Sequence, residues 1–191
     1  LSGAADEVVK LAELGAIPVA TGNMGKGAIA ETHPLSLGVF GNCMGRGSKA
    51  MELRDYAAKA DCVLFVGTRT NANGTANWSL FDPDARFIHI DVDALEVGRN
   101  YESLRLVGDA KATLAALNAS LSASDFPEME ARWNQIASDT AAANATMQAY
   151  VEEIGGGRQG AVRPEHMMRV LDAAMKPEDV ICVDASYSNN W

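Results

Sequence analysis

The sequence predicts an α/β fold built on a doubly wound parallel sheet, and three observations carry that expectation. Cys62-Val63-Leu64-Phe65-Val66 and Phe87-Ile88-His89-Ile90 are short apolar runs of the kind shown by parallel strands covered on both faces. Each ends in a polar turn, Gly67-Thr68-Arg69 after the first and Asp91-Val92-Asp93 after the second. Apolar residues at helical spacing fill the intervals, as in Val8, Leu11, Ala12 and Gly15, or Leu114, Leu117 and Leu121. The arrangement is Rossmann-like, and such sheets take ligands in the crevice outside the carboxyl ends of their strands. A further apolar pair, Leu106-Val107, stops at Gly108-Asp109, so Asp91 and Asp109 are expected to face one crevice, where carboxylates suit ribose hydroxyls or a similar polyol.

Taken in order, a helix opens the chain and is expected to stop at Gly15. A strand normally feeds such a helix, so the first strand of the unit, with its turn, is expected to lie outside these residues, and the chain is expected to be a fragment. Ile17-Pro18-Val19-Ala20-Thr21 is a short strand, with Pro18 near its start where the lost donor matters least. The loop Gly22-Asn23-Met24-Gly25-Lys26-Gly27 fails the phosphate-loop spacing, since position 20 is Ala and Lys26 is followed by Gly. Gly41-Asn42-Cys43-Met44-Gly45-Arg46-Gly47 permits close backbone approach and says no more. Ser48 caps a helix to about Ala60. Arg69, in the loop after the strong strand, offers a planar fork for a diphosphate or carboxylate, against the plain alternative of a surface ion pair. Met129, Trp133, Ile136, Thr140, Ala143, Met147, Tyr150 and Ile154 form one stripe along a long helix, which is expected to pack on the neighbouring domain. Gly155-Gly156-Gly157-Arg158-Gln159-Gly160 is the expected boundary, giving units 1–124, 125–160 and 161–191. Beyond it come a helix from Pro164 and a strand at Val180-Ile181-Cys182-Val183-Asp184, the truncated start of a second α/β domain.

Composition narrows the function. The 191 residues carry a formal charge of -9, with no Lys/Arg cluster, which argues against a nucleic-acid or anionic membrane surface. No apolar stretch has the length of a membrane span. Cys43, Cys62 and Cys182 are odd in number and scattered, so reduced core thiols in a cytoplasmic protein are expected. His33, His89 and His166 are too dispersed for a metal centre and are expected to serve packing or local hydrogen bonding.

Six stretches together resemble a known family. Pro18-Val19 with Met24-Gly25-Lys26-Gly27, His33-Pro34-Leu35-Ser36-Leu37-Gly38, Ala60-Asp61, Gly67-Thr68-Arg69, Ile88-His89-Ile90-Asp91-Val92-Asp93 and Val107-Gly108-Asp109-Ala110 resemble the central domain of thiamine-diphosphate-dependent enzymes of the acetolactate synthase and 2-oxo acid decarboxylase superfamily. The tail from Arg163-Pro164-Glu165-His166 to Val183-Asp184 looks like the start of that family's third domain, which binds the cofactor diphosphate and its magnesium ion. The resemblance implies a six-stranded parallel sheet of the DHS-like NAD/FAD-binding type. With the first strand absent, five or fewer parallel strands are expected here, with a gap or a foreign strand beside Cys62–Val66. It implies a pocket for FAD or ADP at Met24, Gly41, Gly67, Arg69, Asp91, Val92, Gly108 and Asp109, and weaker thiamine diphosphate contacts at Ala185, Ser186 and Asn189. After Gly67-Thr68-Arg69 this chain has Thr70-Asn71-Ala72-Asn73 where acetolactate synthases resemble one another in Phe-Asp-Asp-Arg, so an empty scaffold stands beside the flavin reading.

The family's activating glutamate and its Gly-Asp-Gly magnesium motif match nothing in these residues, so no catalytic or metal-ligating residue is assigned. The intact enzyme is expected to be a homodimer or homotetramer in which a thiazolium ylid adds to a 2-oxo acid and serves as electron sink when carbon dioxide leaves. The alternative is a separate FAD- or NAD-binding module similar to electron-transfer flavoprotein or sirtuin-type domains. Three scattered cysteines cannot supply a sirtuin's four-thiolate zinc site.

Overall fold

A computed structural model describes residues 2–124, 126–154, 162–176 and 178–182. Two compact units are present, 1–143 and 144–191. The first opens with α1 (Ala5–Gly15), which buries Leu11, Ala12 and Gly15. It ends at Gly15, as expected. The left-handed residue is the next one, Ala16 (φ 47°), whose N–H returns to the Ala12 carbonyl; it is fully buried.

Strands β1 (Val19–Thr21) and β2 (Ser36–Val39) pair in parallel. The residue-level reading did not foresee β2, because Ser36 and Gly38 have little strand preference; burial of Ser36, Leu37 and Gly38 holds it there. The expected helix from Ser48 is two short pieces, α2 (Lys49–Glu52) and α3 (Asp55–Ala58), separated where Leu53 leaves helical geometry (φ −100°, ψ 9°). Ser48 caps α2 by accepting from the Met51 N–H. The expected apolar face survives the break, since Ala50, Leu53 and Ala57 all enter one cluster with Leu37, Phe40, Leu80 and Ala143.

Strands β3 (Cys62–Val66), β4 (Arg86–Asp91) and β5 (Leu104–Val107) form a second parallel sheet in that order, with Leu64, Ile88 and Leu104 in register. Every ladder is parallel, and among the described residues no ladder joins β1-β2 to β3-β4-β5. This is the expected gap beside Cys62–Val66. It also corrects the expectation that β3 is covered throughout. Only Phe65 is buried on β3, because the strand has a hydrogen-bonded neighbour on one side alone. Cys62, its first residue, is exposed, as is Cys182, while Cys43 is half-buried; the thiols are free but not core thiols.

One face of this sheet packs on α1 and α4 (Ala110–Leu121) through Leu11, Ile90 and Leu114. Fully burying a side chain such as Leu114 contributes roughly 1.5–3 kcal/mol. On the other face lies an aromatic cluster in which Phe65 stacks on Phe87 at 5.6 Å and meets Phe81, His89 and Tyr101. Packing on both faces thus centres on β4, where Phe87, His89 and Ile90 are buried.

The long helix α5 (Met129–Ile154) buries Ile136, Thr140 and Ala143, as its stripe predicts, and Thr140 Oγ1 donates to the Pro34 carbonyl. Nearby, Tyr56 Oη donates to Asp139 Oδ2 at 2.7 Å, and Gln135 donates to the other carboxylate oxygen. Burial, then the Asp139 bond and charge, push the Tyr56 hydroxyl up to about 12, while the Tyr56 and Gln135 bonds hold the Asp139 carboxyl below its ordinary value. The raised phenol contributes stability that is complete below the unfolded value of 10.0 and is lost as pH climbs toward about 12. The lowered carboxyl contributes above its ordinary 3.8 and is lost below it, weakly because the group is well solvated. Denaturant titrations of wild type and Tyr56→Phe are expected to differ by a constant amount from about pH 5 to 9 and to converge above pH 10. A gap that widens with alkalinity contradicts this.

The second unit contains α6 (Pro164–Ala174), with Pro164 at its first turn as the sequence predicts and no buried residue. The expected strand at 180–184 is not formed at Val180, Ile181 or Cys182, which join no ladder among the described residues; Val183 and Asp184 lie outside the described residues. A strand gains its hydrogen bonds from a neighbour, and no ladder forms in this unit among the described residues.

Candidate functional site

The parallel ladder carries three of the expected residues to one place. Gly67 N–H donates to the Ile90 carbonyl at 2.8 Å and Gly108 N–H to the Asp91 carbonyl at 2.9 Å. Gly67, Asp91 and Gly108 are thus neighbours at the carboxyl ends of β3, β4 and β5. Gly67 has φ 60°, a conformation that favours glycine, and a Cβ built on it would meet nothing within 4 Å, so its position is open. Asp91 is half-buried and its Oδ1 accepts from the Asp93 N–H, while Asp93 accepts in turn from Leu95. Asp109 is exposed and caps α4, its Oδ1 accepting from the Ala112 N–H at 3.0 Å. Each carboxylate thus spends one oxygen on its own turn and leaves the other for a ligand. Val92 is 77% exposed beside them.

Gly41 follows β2 in the other sheet and still reaches this end. It packs on Asn73 and Gly74 in the loop after β3, and Asn42 bonds Asn73 twice, backbone to backbone at 2.8 Å and side chain to side chain at 3.0 Å. Met24 is 98% exposed on a one-turn helix at Asn23–Gly25 and touches none of these residues through a described bond. Ala185, Ser186 and Asn189 lie outside the described residues.

Four residues that the sequence reading did not assign to the site build its central loop. His89, 1% exposed, accepts from the Gly98 N–H on Nδ1, so its proton sits on Nε2 and is donated to the Thr68 carbonyl at 2.9 Å. That agrees with the local hydrogen-bonding role expected for the histidines. Asn100 donates its side-chain amide to the carbonyls of Arg69 and Thr70 and to Thr70 Oγ1. Thr70 itself is buried at φ 47°. Trp78 donates its indole N–H to the Thr70 carbonyl at 3.0 Å. Arg69 is exposed and takes part in no ion pair found among the described residues. A free guanidinium, an open glycine and two half-engaged carboxylates on adjacent strand ends have the chemistry to take a phosphorylated polyol.

A cleft of ≈ 500 Å³ lies at the opposite end of the sheet, lined by residues including Cys62, Phe87, Ile88 and Leu104. Its charged members are already tied up, Arg86 with Asp61 and Glu102 with Arg105. With apolar walls and no disengaged polar group, it lacks the specificity elements of a small-molecule site. The carboxyl-end crevice remains the candidate. Among the described residues no three His, Cys, Asp or Glu side chains are grouped as a metal site would need, and no helix is long and apolar enough to cross a membrane.

Residues 1–117 match the family described as thiamine pyrophosphate enzyme, central domain. Among similar proteins, a probable acetolactate synthase large subunit of Methanocaldococcus jannaschii is 40% identical over 132 residues, covering 68% of this chain and 21% of that protein. An acetolactate synthase of Mycobacterium bovis is 29% identical over 192 residues, 98% of this chain and 29% of its own length. The chloroplastic acetolactate synthase 1 of Oryza sativa subsp. japonica is 29% identical over 195 residues, 100% of this chain and 28% of its own length. The chain therefore spans less than a third of the length of each of these relatives.

Proposed function

The chain belongs to the thiamine pyrophosphate enzyme central-domain family, and from that premise we propose that it forms the middle of an acetolactate-synthase-like enzyme that decarboxylates a 2-oxo acid and joins the product to an acceptor. The observation that carries this is the reach of the similarity. The Mycobacterium bovis acetolactate synthase aligns with 98% of the chain, well past residue 117 where the central-domain match ends. A separate flavoprotein-like module would not be expected to share that tail.

In this reading residues 1–124 hold the assembly together and present the crevice, 125–160 link it, and 161–191 begin the domain that grips the cofactor diphosphate. Thiamine diphosphate supplies the ylid and electron sink, with Mg2+ at its diphosphate. Met24, Gly41, Gly67, Arg69, Asp91, Val92, Gly108 and Asp109 are proposed to bound a site for FAD or ADP, and Ala185, Ser186 and Asn189 to touch the thiamine diphosphate. The intact enzyme is proposed to be a cytoplasmic homodimer or homotetramer.

The test is made on the polypeptide that carries this chain in the cell. It is expected to release carbon dioxide from a 2-oxo acid such as pyruvate only with thiamine diphosphate and Mg2+ present, whereas the 191-residue chain alone turns over none. Tight thiamine diphosphate binding by the 191-residue chain alone contradicts the proposal, because it would place the cofactor site within these residues.

A further inference from the structure

The geometry points to Trp78 as the stacking face of a binding subsite for a planar heteroaromatic ring bearing a phosphate or diphosphate, with Arg69 taking the anion. The inference rests on the crevice proposed above and names a residue outside that proposal. Trp78 is 52% exposed, although its indole N–H is bonded to the Thr70 carbonyl. An anchored tryptophan that keeps half its surface in water presents a fixed aromatic face. Its backbone is held at φ 58°, after Ala76 at 48° and Asn77 at 56°, three successive left-handed residues with no glycine among them. Such a run is costly for residues with a Cβ and persists only where the surroundings fix it.

The surroundings do fix it. Thr75 Oγ1 donates to the Asn71 carbonyl and accepts from the Trp78 N–H, Asn77 N–H returns to the Ala72 carbonyl, and Ser79 Oγ donates to the Ala76 carbonyl. Below them Asn100 bridges the carbonyls of Arg69 and Thr70. Asn100 is therefore a positioning residue that sets the Arg69 backbone against the Trp78 indole through one shared carbonyl, that of Thr70. The exposed guanidinium of Arg69 and the exposed ring of Trp78 meet the two halves of one ligand, an anion by the planar fork and a ring by its π-face. The adjoining strand ends supply Gly67 and Asp91 for the sugar that joins them.

Calorimetry on the 191-residue chain with ADP, adenosine and pyrophosphate separates the parts. Trp78→Leu is expected to weaken ADP and adenosine by about tenfold or more while leaving pyrophosphate unchanged, since one stacked base contributes that much. Trp78→Phe keeps a ring and should stay within about threefold of wild type by the same reasoning. Arg69→Ala should weaken ADP and pyrophosphate and spare adenosine. Equal losses in Trp78→Leu and Trp78→Phe overturn the stacking role. No binding of ADP by wild type overturns the subsite, and leaves the enzyme reading to be decided by carbon dioxide release. If Trp78→Leu fails to fold, a chain with Trp133 and Trp191 replaced by Phe still decides: ADP should quench the Trp78 emission and pyrophosphate should not, and absence of quenching by ADP sinks the proposal.

Discussion

Replacing His89 by leucine is expected to destabilise the first unit by about 3 kcal/mol, because it strands two groups at once. The Gly98 N–H loses its Nδ1 acceptor and the Thr68 carbonyl loses its Nε2 donor, both beside a side chain that is 1% exposed. Each stranded group costs roughly 1–3 kcal/mol, and the apolar leucine repays part of that by packing on Phe65, which His89 now meets edge-on at 5.6 Å. For a protein of this size the midpoint of thermal unfolding should fall by about 10 °C. His89→Gln carries both a donor and an acceptor on its amide and is expected to lose about half as much. Hydrogen exchange supplies the local check, since the Gly98 amide should lose protection in His89→Leu ahead of the β3 and β4 amides. A leucine variant within about 1 kcal/mol of wild type would show that water replaces the imidazole on both sides, and that His89 does not hold the two loops.

The same residue shows how far the sequence alone reaches. The apolar runs at 62–66 and 87–90 were readable as strands because a parallel strand needs little more than β-branched and aromatic content bounded by polar turns. Gly67, Asp91 and Gly108 were readable as neighbours because parallel strands put their carboxyl ends on one edge. What stayed hidden depends on contacts between residues distant in the chain. Asn100 lies thirty-one positions from Arg69 and bonds its carbonyl, and no spacing rule marks a lone asparagine for that role. Trp78 sits in a segment of small polar residues whose left-handed turn is stabilised by Thr75 and Asn71, and none of its three left-handed residues is a glycine. Ser36–Val39 has weak strand preference and becomes a strand through burial. Local pattern thus placed the strands and their carboxyl-end edge, while the side chains that shape that edge are fixed by tertiary hydrogen bonds.

Gly41→Ala should match or exceed the His89 effect and should reach the candidate crevice as well. Gly41 adopts φ 95°, and a Cβ there would overlap the Asn73 carbonyl oxygen and lie 2.9 Å from Gly74 Cα. The left-handed backbone costs an alanine about 1–2 kcal/mol, and relieving the overlap costs about 1–3 kcal/mol more, since the obstructing atoms are backbone and cannot rotate aside. Gly27 is the internal control. It has nearly the same φ, 91°, with nothing within 4 Å of an added Cβ, so Gly27→Ala should show the conformational cost alone. The difference between the two variants then isolates the contact between the loops after β2 and β3. Relief of the overlap must push the Asn73-Gly74 segment away and break its paired bonds with Asn42. That segment continues into Asn71, whose carbonyl and side chain hold Thr75 and Gly74, and so into the turn that presents Trp78. Gly41→Ala is therefore expected to melt about 10 °C below wild type and to lose the ring-dependent part of ADP binding, while Gly27→Ala keeps that binding in full. Equal melting points for the two alanine variants would mean that the loops yield to a methyl group at no cost, and that the crevice is not braced across the break in the sheet.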